Sequence, residues 1–384
     1  MEYRTDEDEC AVSLRYSGGM VADALSGPAL TAAIEEQIRR ALADALDGTT
    51  RKVWRTPMFS VRRVEGWYRQ GDDFLIRPAS VEAPRPGEDY AQHPWILEFT
   101  FVESPNVQIR SLRTERRGYE LALVLNLLLR GQIGRPTRRF RKHWVLAPTA
   151  DRASGIATAD WRQEGYLMPD FPSLADSFSD VAGWTPLATE PTDVYYGQYG
   201  FDGQPISIPV AMTDLSHAFD RLDGPHRNRF LRSCYWLHMA DVVWSFSQSL
   251  NLISLINALE CLAQSGEKRK VFDASTKMFL DFMQDYAPGR SSRTRLNKIY
   301  EVRSLVTHGE RLLAYDTPAA FGLHPTSTAD RESGTEALLL ARGAIINWLA
   351  RQTGSSPNLL DTDPFSSGPG RKSAIKSAVK IITS

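Results

Sequence analysis

The sequence predicts an α+β protein: a mixed α/β N-terminal domain followed by an all-α helical bundle. Three observations carry this expectation. Residues 53–110 hold short apolar runs, such as Phe74-Leu75-Ile76 and Trp95 to Phe101, separated by Gly71-Asp72 and Pro86-Gly87 turn signals, the pattern of strands. From Thr213 onward apolar residues recur at helical spacing. Between the two, residues 150–210 are dense in Pro, Gly, Ser and Asp. A chain of 384 residues with 42% hydrophobic content is long enough for two cores.

Taken in order, residues 1–27 are polar and punctuated by Gly and Ser, and loose order is expected there. Residues 28–47 read as a helix opened by Pro28, with Leu30, Ile34, Ile38, Leu42 and Leu46 every fourth position and Gly48 after it. After the strands of 53–110, a helix is expected over Glu115–Leu129, then a basic loop, then a strand at His143–Leu146. Residues 150–210 read as irregular loops and short strands leading to a boundary near Pro209. Helices are expected at 213–222, 225–247, 249–264, 270–286, 292–308 and 332–352. Leu252, Leu255, Ile256, Leu259 and Leu262 form one apolar stripe, and Leu296, Ile299, Val302 and Val306 another. Gly354–Gly370 reads as a flexible linker, followed by a short basic tail with Lys372, Lys376 and Lys380 at four-residue spacing. The expected organisation is therefore 1–27 loose, 28–210 mixed α/β and regulatory, 211–353 helical, and 354–384 linker and tail.

Composition narrows the function. The net charge of −1 excludes a generic polyanion binder, so any nucleic-acid surface is local. Three widely separated cysteines (Cys10, Cys234, Cys261) argue for a reducing, cytoplasmic setting and against a disulfide or zinc framework. The acidic start has no apolar h-region, so no secretory leader is expected, and no apolar stretch is long and unbroken enough to span a membrane. His93, His217, His226, His238 and His324 show no metal-ligand spacing, so neither metal nor cofactor is expected. Gly368-Pro369-Gly370-Arg371-Lys372-Ser373 lacks the spacing of a phosphate loop.

The chemistry concentrates in residues 299–309, Ile-Tyr-Glu-Val-Arg-Ser-Leu-Val-Thr-His-Gly. Arg303 stands five residues ahead of His308, which on a helix is about 140° of rotation and about 7.5 Å of rise. The two side chains sit on neighbouring flanks and can converge on one anion, more easily if a second copy of the helix faces the first. Gly309 suits the left-handed position that ends a helix.

Arg303-Ser304-x-x-x-His308-Gly309, after a helix carrying Asn257-Ala258-Leu259-Glu260, resembles the HEPN superfamily, in its Apea-like branch, over roughly residues 212–352. The resemblance implies an all-α HEPN bundle that pairs as a homodimer and cuts RNA without a metal. Arg303, His308 and Ser304 would form the catalytic set. It also implies a toxin or anti-phage setting, with tRNA or mRNA as substrate and a phage-derived activator or regulatory partner at the N-terminal domain. The alternative within the family is a non-catalytic RNA- or protein-binding module. A structural adaptor docking through the basic segments is a third reading.

The residue chemistry is consistent with the first. Histidine transfers protons near neutrality and arginine offers a permanently charged fork to phosphate oxygens. The plain alternative is a helix-end histidine and a surface ion-pair arginine. Ser304 can contact phosphate or orient the histidine, or can be an ordinary surface serine. Glu260, on an apolar helix, needs a partner, and Arg303 is the obvious one; it would orient the arginine, or else pair with another base. Tyr300 is a core residue or a base-stacking one. Residues 265–315 hold ten basic against six acidic side chains, and Arg293, Arg295 and Lys298 are the expected contacts to an RNA backbone. A second basic run, Arg135 to His143, is broken by Phe140 and followed by Trp144. It can hold single-stranded nucleic acid or be a solvated loop.

Overall fold

The computed structural model describes residues 50–83, 93–130, 132–135, 170–197, 203–244, 246–263, 275–287, 292–317 and 336–352 with their side chains, and Met168, Gly334 and Leu360 likewise. Residues 2–5, 8–17, 20–26, 143–151, 156–164, 273–274, 328–333 and 335 are described as backbone. The helix expected over 28–47 lies outside these residues, as do nearly all of the linker and the basic tail. The architecture is α+β.

The first residues correct an expectation. Instead of loose order, β1 (Glu2–Thr5), β2 (Asp8–Ser17) and β3 (Met20–Ser26) form an antiparallel meander. The signal was present in the sequence: Cys10, Val12, Leu14 and Tyr16 alternate with small or polar residues, and Gly18-Gly19 separates the strands. A second sheet has the order β10-β4-β7-β6-β5, built from β4 (Arg51–Ser60), β5 (Tyr68–Gln70), β6 (Phe74–Pro78), β7 (His93–Val102) and β10 (Ser173–Ala175). All its pairings are antiparallel, with Arg51 opposite Val102 and Ser60 opposite His93. β8 (His143–Asp151) and β9 (Ile156–Glu164) make a separate hairpin, longer than the strand expected at 143–146. Its second strand, of nine residues, falls where irregular loops and short strands are expected.

Strand alternation gives the five-stranded sheet two dissimilar faces. One presents Met58, Phe74, Ile76, Trp95, Leu97 and Phe99 to the core, where α1 (Val107–Leu129) packs. α1 starts eight residues earlier than expected because Asn106 caps it, accepting from the Gln108 and Ile109 amides at 2.9 and 3.2 Å. Its last carbonyls are met by the tyrosines of α2 (Thr192–Gly197): Tyr195 donates to Leu129 O at 2.7 Å and Tyr196 to Leu128 O at 2.9 Å. The other face holds Glu98, fully buried. Arg77 Nε (2.5 Å), Ser179 Oγ (2.6 Å) and the Ser179 amide (2.8 Å) all donate to it. Burial pushes this carboxyl up, but the bonds from Ser179 and Arg77 outweigh it and hold Glu98 below its ordinary range. At Gly66 two backbone segments cross: Trp67 N donates to Thr185 O at 3.0 Å and Leu187 N to Trp67 O at 2.8 Å. A β-carbon there would lie 2.6 Å from Thr185 O, so only glycine fits.

After the short parallel pair β11 (Thr189–Glu190) and β12 (Ile208–Pro209), the chain becomes helical. It forms α3 (Met212–Asp220), α4 (Gly224–Val243), α5 (Gln248–Ala263), α6 (Asp273–Tyr286), α7 (Arg293–Thr307) and α8 (Thr328–Arg351). α5 is the central helix, packing on α4, α6, α7 and α8. Its expected stripe is buried from Leu252 to Leu262, and so are Ser249, Asn251, Ser254 and Ala258 on its other flank. Close approach of α4 and α5 is cross-linked by Ser233 Oγ to Ala258 O (2.7 Å) and Asn251 Nδ2 to Ala240 O (2.8 Å).

The change from strands to helices near Pro209 is a change of element, not of core. One continuous apolar cluster runs from Met58 through α1 into α8 and Leu360. Polar bonds also cross that point: Arg227 to Glu120 at 2.8 Å and Asn126 Nδ2 to Asp241 Oδ2 at 2.9 Å. Leu360, inside the expected linker, is buried, and its amide donates to Asn347 Oδ1 at 3.1 Å.

Candidate functional site

The 299–309 stretch forms the second half of α7 and its end. Ser292 caps the helix start by accepting from the Arg295 amide, and Leu296, Ile299 and Val306 bury one side. The end is a Schellman turn: Gly309, with φ of +75°, donates to Val306 O at 3.2 Å and Glu310 donates to Leu305 O at 2.9 Å. Gly309 thus takes the left-handed position its spacing suggested, and His308 is the residue that closes the helix.

α7 runs antiparallel to α5, since Tyr300 meets Glu260 while the chain beyond His308 returns to Ser249. Arg303 Nη2 donates to Glu260 Oε2 at 2.9 Å and to Asn257 Oδ1 at 3.3 Å. Tyr300 donates its hydroxyl to Glu260 Oε1 at 2.8 Å, and the Arg303 guanidinium lies 5.4 Å from the Tyr300 ring centre. The Arg303 side chain is 16% exposed and that of Glu260 13%. Arg303 Nε is buried without a hydrogen-bond partner. Burial and the adjacent Glu260 carboxylate push the Tyr300 hydroxyl up to about 12, so it serves as a donor and not as a base. The carboxylate on α5 therefore finds the partner expected of it, and Tyr300 joins as a third member through its hydroxyl.

Other expected residues lie outside this group. His308 is exposed at the helix end, about 7.5 Å along the axis from Arg303. Ser304 is half-buried, and its carbonyl accepts the His308 amide at 3.0 Å. Arg293, Arg295 and Lys298 sit on exposed positions of the first turns of α7, at the end away from His308. Arg295 forms an ion pair with Glu336, which is 2% exposed, so this arginine fastens α7 to α8. Arg293 lies 3.9 Å from Asp281 and 3.4 Å from Gln284. In the second basic run, Arg135 is folded onto α1, donating to Glu115 Oε2 at 2.7 Å and Glu115 O at 2.9 Å. Residues 136–142 lie outside the described residues.

Two features escaped the sequence reading. Asp316, in a 3-10 turn at Ala314–Asp316, accepts from the Gln248 and Ser249 amides at 3.2 and 2.6 Å and from Ser247 Oγ at 3.2 Å. A buried set at the C-terminal end of α1 joins Arg62, Arg130, Arg342, Asn126 and Asp241. Arg130 there lies 5.0 Å from the Tyr195 ring centre, and burial, with Arg342 and Arg62 nearby, lowers it to about 10. The negative end of α1 and the tyrosine face offset part of that charge. Neither feature has a local motif, because Asp316 lies 67 residues from Ser249 and Asp241 lies 115 from Asn126.

Comparison of the chain with protein-family models, curated proteins and solved structures gave no match. Among the described residues, no three His, Cys, Asp or Glu side chains group as metal ligands would, and no helix is long and apolar enough to cross a membrane.

Proposed function

We propose that the helical half is a HEPN-type endoribonuclease in which Arg303 and His308 act on one phosphodiester without a metal. The observation that carries the reading is the end of α7: an arginine braced by Glu260 and Asn257, and an exposed histidine one and a half turns further on. The RNA 2′-hydroxyl attacks the adjacent phosphorus and the bond to the 5′-oxygen breaks. His308 transfers a proton in that exchange. Arg303 stabilises phosphorane charge through the N–H groups that Glu260 and Asn257 leave unoccupied. Ser304 contacts the phosphate or orients the histidine. Lys298 and Arg293 hold flanking backbone, whereas Arg295 is committed to Glu336. The products end in a 2′,3′-cyclic phosphate and a 5′-hydroxyl.

The reading extends to two copies paired so that both Arg303 and His308 line one cleft. In this reading tRNA or mRNA is the cytoplasmic target and the mixed N-terminal half is the sensor of a toxin or anti-phage effector, answering to a phage-derived activator. Purified full-length protein should cut total RNA in the presence of EDTA and leave cyclic phosphate ends. Arg303→Ala and His308→Ala should each lose about 10²-fold or more. Cleavage by both variants at the wild-type rate would reject the assignment.

One observation favours a second reading. Arg303 turns inward to Glu260 and is mostly buried, as a structural arginine would be. A non-catalytic RNA- or protein-binding module predicts a gel shift of RNA without any product.

A further inference from the structure

We infer that Asp316 is a positioning residue for His308, an inference that rests on the nuclease reading for its catalytic consequence but not for its geometry. α5 has no acidic residue in its own first turn. The negative charge that a helix start favours comes instead from Asp316, 67 residues away, whose carboxylate takes the Gln248 and Ser249 amides and the Ser247 hydroxyl. Beside it, Ser249 Oγ accepts the Leu313 amide at 2.9 Å, and Leu313 is buried. Ser247 Oγ in turn accepts the Leu250 amide at 3.1 Å.

This knot matters because of what it closes. From Asn257 back to Ser249 is eight residues, about 12 Å of α5, and from Arg303 on to His308 is about 7.5 Å of α7 in the same direction. The remaining few ångströms are spanned by the turn at Gly309 and the segment to Asp316. α7 is thus tied to α5 at two points. One is Arg303 on Glu260 and Asn257, and the other is Asp316 on the start of α5. Val306, buried two residues before His308, holds the helix itself, and the second tie fixes the turn that follows His308. With both, His308 is held at one place along α5. Asp316 touches no reacting atom in this scheme; it acts through the turn that carries His308.

The test uses full-length wild type, Asp316→Ala and Asp316→Asn, the last keeping a carbonyl acceptor without the charge. Three quantities are read: the His308 imidazole resonances, amide hydrogen exchange along the chain, and kcat against KM for RNA cleavage. Positioning predicts that Asp316→Ala shifts or broadens the His308 resonances and speeds exchange about 10-fold at 248–250 and 310–317, while β7 and the middle of α5 stay protected. It predicts a fall in kcat of about 10-fold with KM within about twofold, and an intermediate effect for Asp316→Asn. Unchanged His308 resonances, or unchanged kcat in an active enzyme, would overturn it. Exchange rising equally everywhere would also overturn it, since that marks loss of stability alone. If the wild type cuts no RNA, the nuclease reading fails, and the resonances and exchange pattern still decide whether Asp316 holds His308.

Discussion

The Glu260–Arg303 pair can be weighed directly, because its geometry fixes what each substitution removes. Glu260→Ala deletes the acceptor of two bonds, Arg303 Nη2 at 2.9 Å and the Tyr300 hydroxyl at 2.8 Å. Charge-assisted hydrogen bonds contribute about 1.5–3 kcal/mol each, and removing one partner of a buried pair leaves the other charge uncompensated. Both side chains keep a little exposure, 16% and 13%, so water recovers part of the loss. A cost near the lower end, about 3 kcal/mol, is expected for Glu260→Ala. Tyr300→Phe should cost about 1.5 kcal/mol, since one of the two bonds to the carboxylate is lost. A double-mutant cycle of Glu260→Ala with Arg303→Met, read from urea unfolding followed by circular dichroism, should give a coupling of about 2 kcal/mol. A coupling under about 0.5 kcal/mol would be that of an exposed ion pair and would refute the argument that this pair fixes the arginine.

Two further perturbations follow from the fold. Glu98 and Glu120 are held below their ordinary value of 4.5: burial opposes this in both, and it is outweighed by Ser179 and Arg77 at Glu98 and by Arg227 and Arg116 at Glu120. His238 is held below its ordinary 6.5 by burial, with Asp241 opposing. In each case the unfolded chain takes up its proton first as pH falls. The urea midpoint should therefore decline below about pH 6.5 and more steeply below about 4.5, and Glu98→Gln should flatten only the lower limb. A midpoint level from pH 7 to 4 would contradict this. Gly66→Ala would force a β-carbon to 2.6 Å from Thr185 O and 2.9 Å from Leu187 N, both backbone atoms. A loss of about 2–3 kcal/mol is expected, with faster proteolysis near residues 181–187; wild-type stability would show that the two segments part without cost.

The helical half was legible because its signals are local. Leu252, Leu255, Ile256, Leu259 and Leu262 repeat at helix spacing, and Ser292 and Gly309 bracket α7 at positions whose backbone chemistry requires such residues. The Glu260–Arg303 contact was legible for a different reason, since a carboxylate on an apolar helix must find a cation. The strand order was not, because the pairing of β4 with β7 across β5 and β6 is decided by burial on two faces and not by neighbouring residues. The meander at residues 2–26 is harder to see because Gly and Ser between its strands give the stretch the composition of a loop, despite the alternation from Cys10 to Tyr16. The sequence makes Arg295 a contact for an RNA backbone, whereas its commitment to Glu336 depends on α8 returning across α7. Asp316 was invisible for the same reason: it caps a helix that begins 68 residues earlier.

Leu121, Leu125 and Leu128 of α1 share a small cavity wall with Ser216 and Phe219 of α3, across the point where strands give way to helices. A fragment cut at 211 would therefore leave an apolar scar where α1 had lain, each such leucine being worth about 1.5–3 kcal/mol when covered. The same apolar cluster runs through both halves, so thermal unfolding of the full chain is expected to be a single transition. A cut at residue 211 runs through core, exposing apolar surface on both pieces.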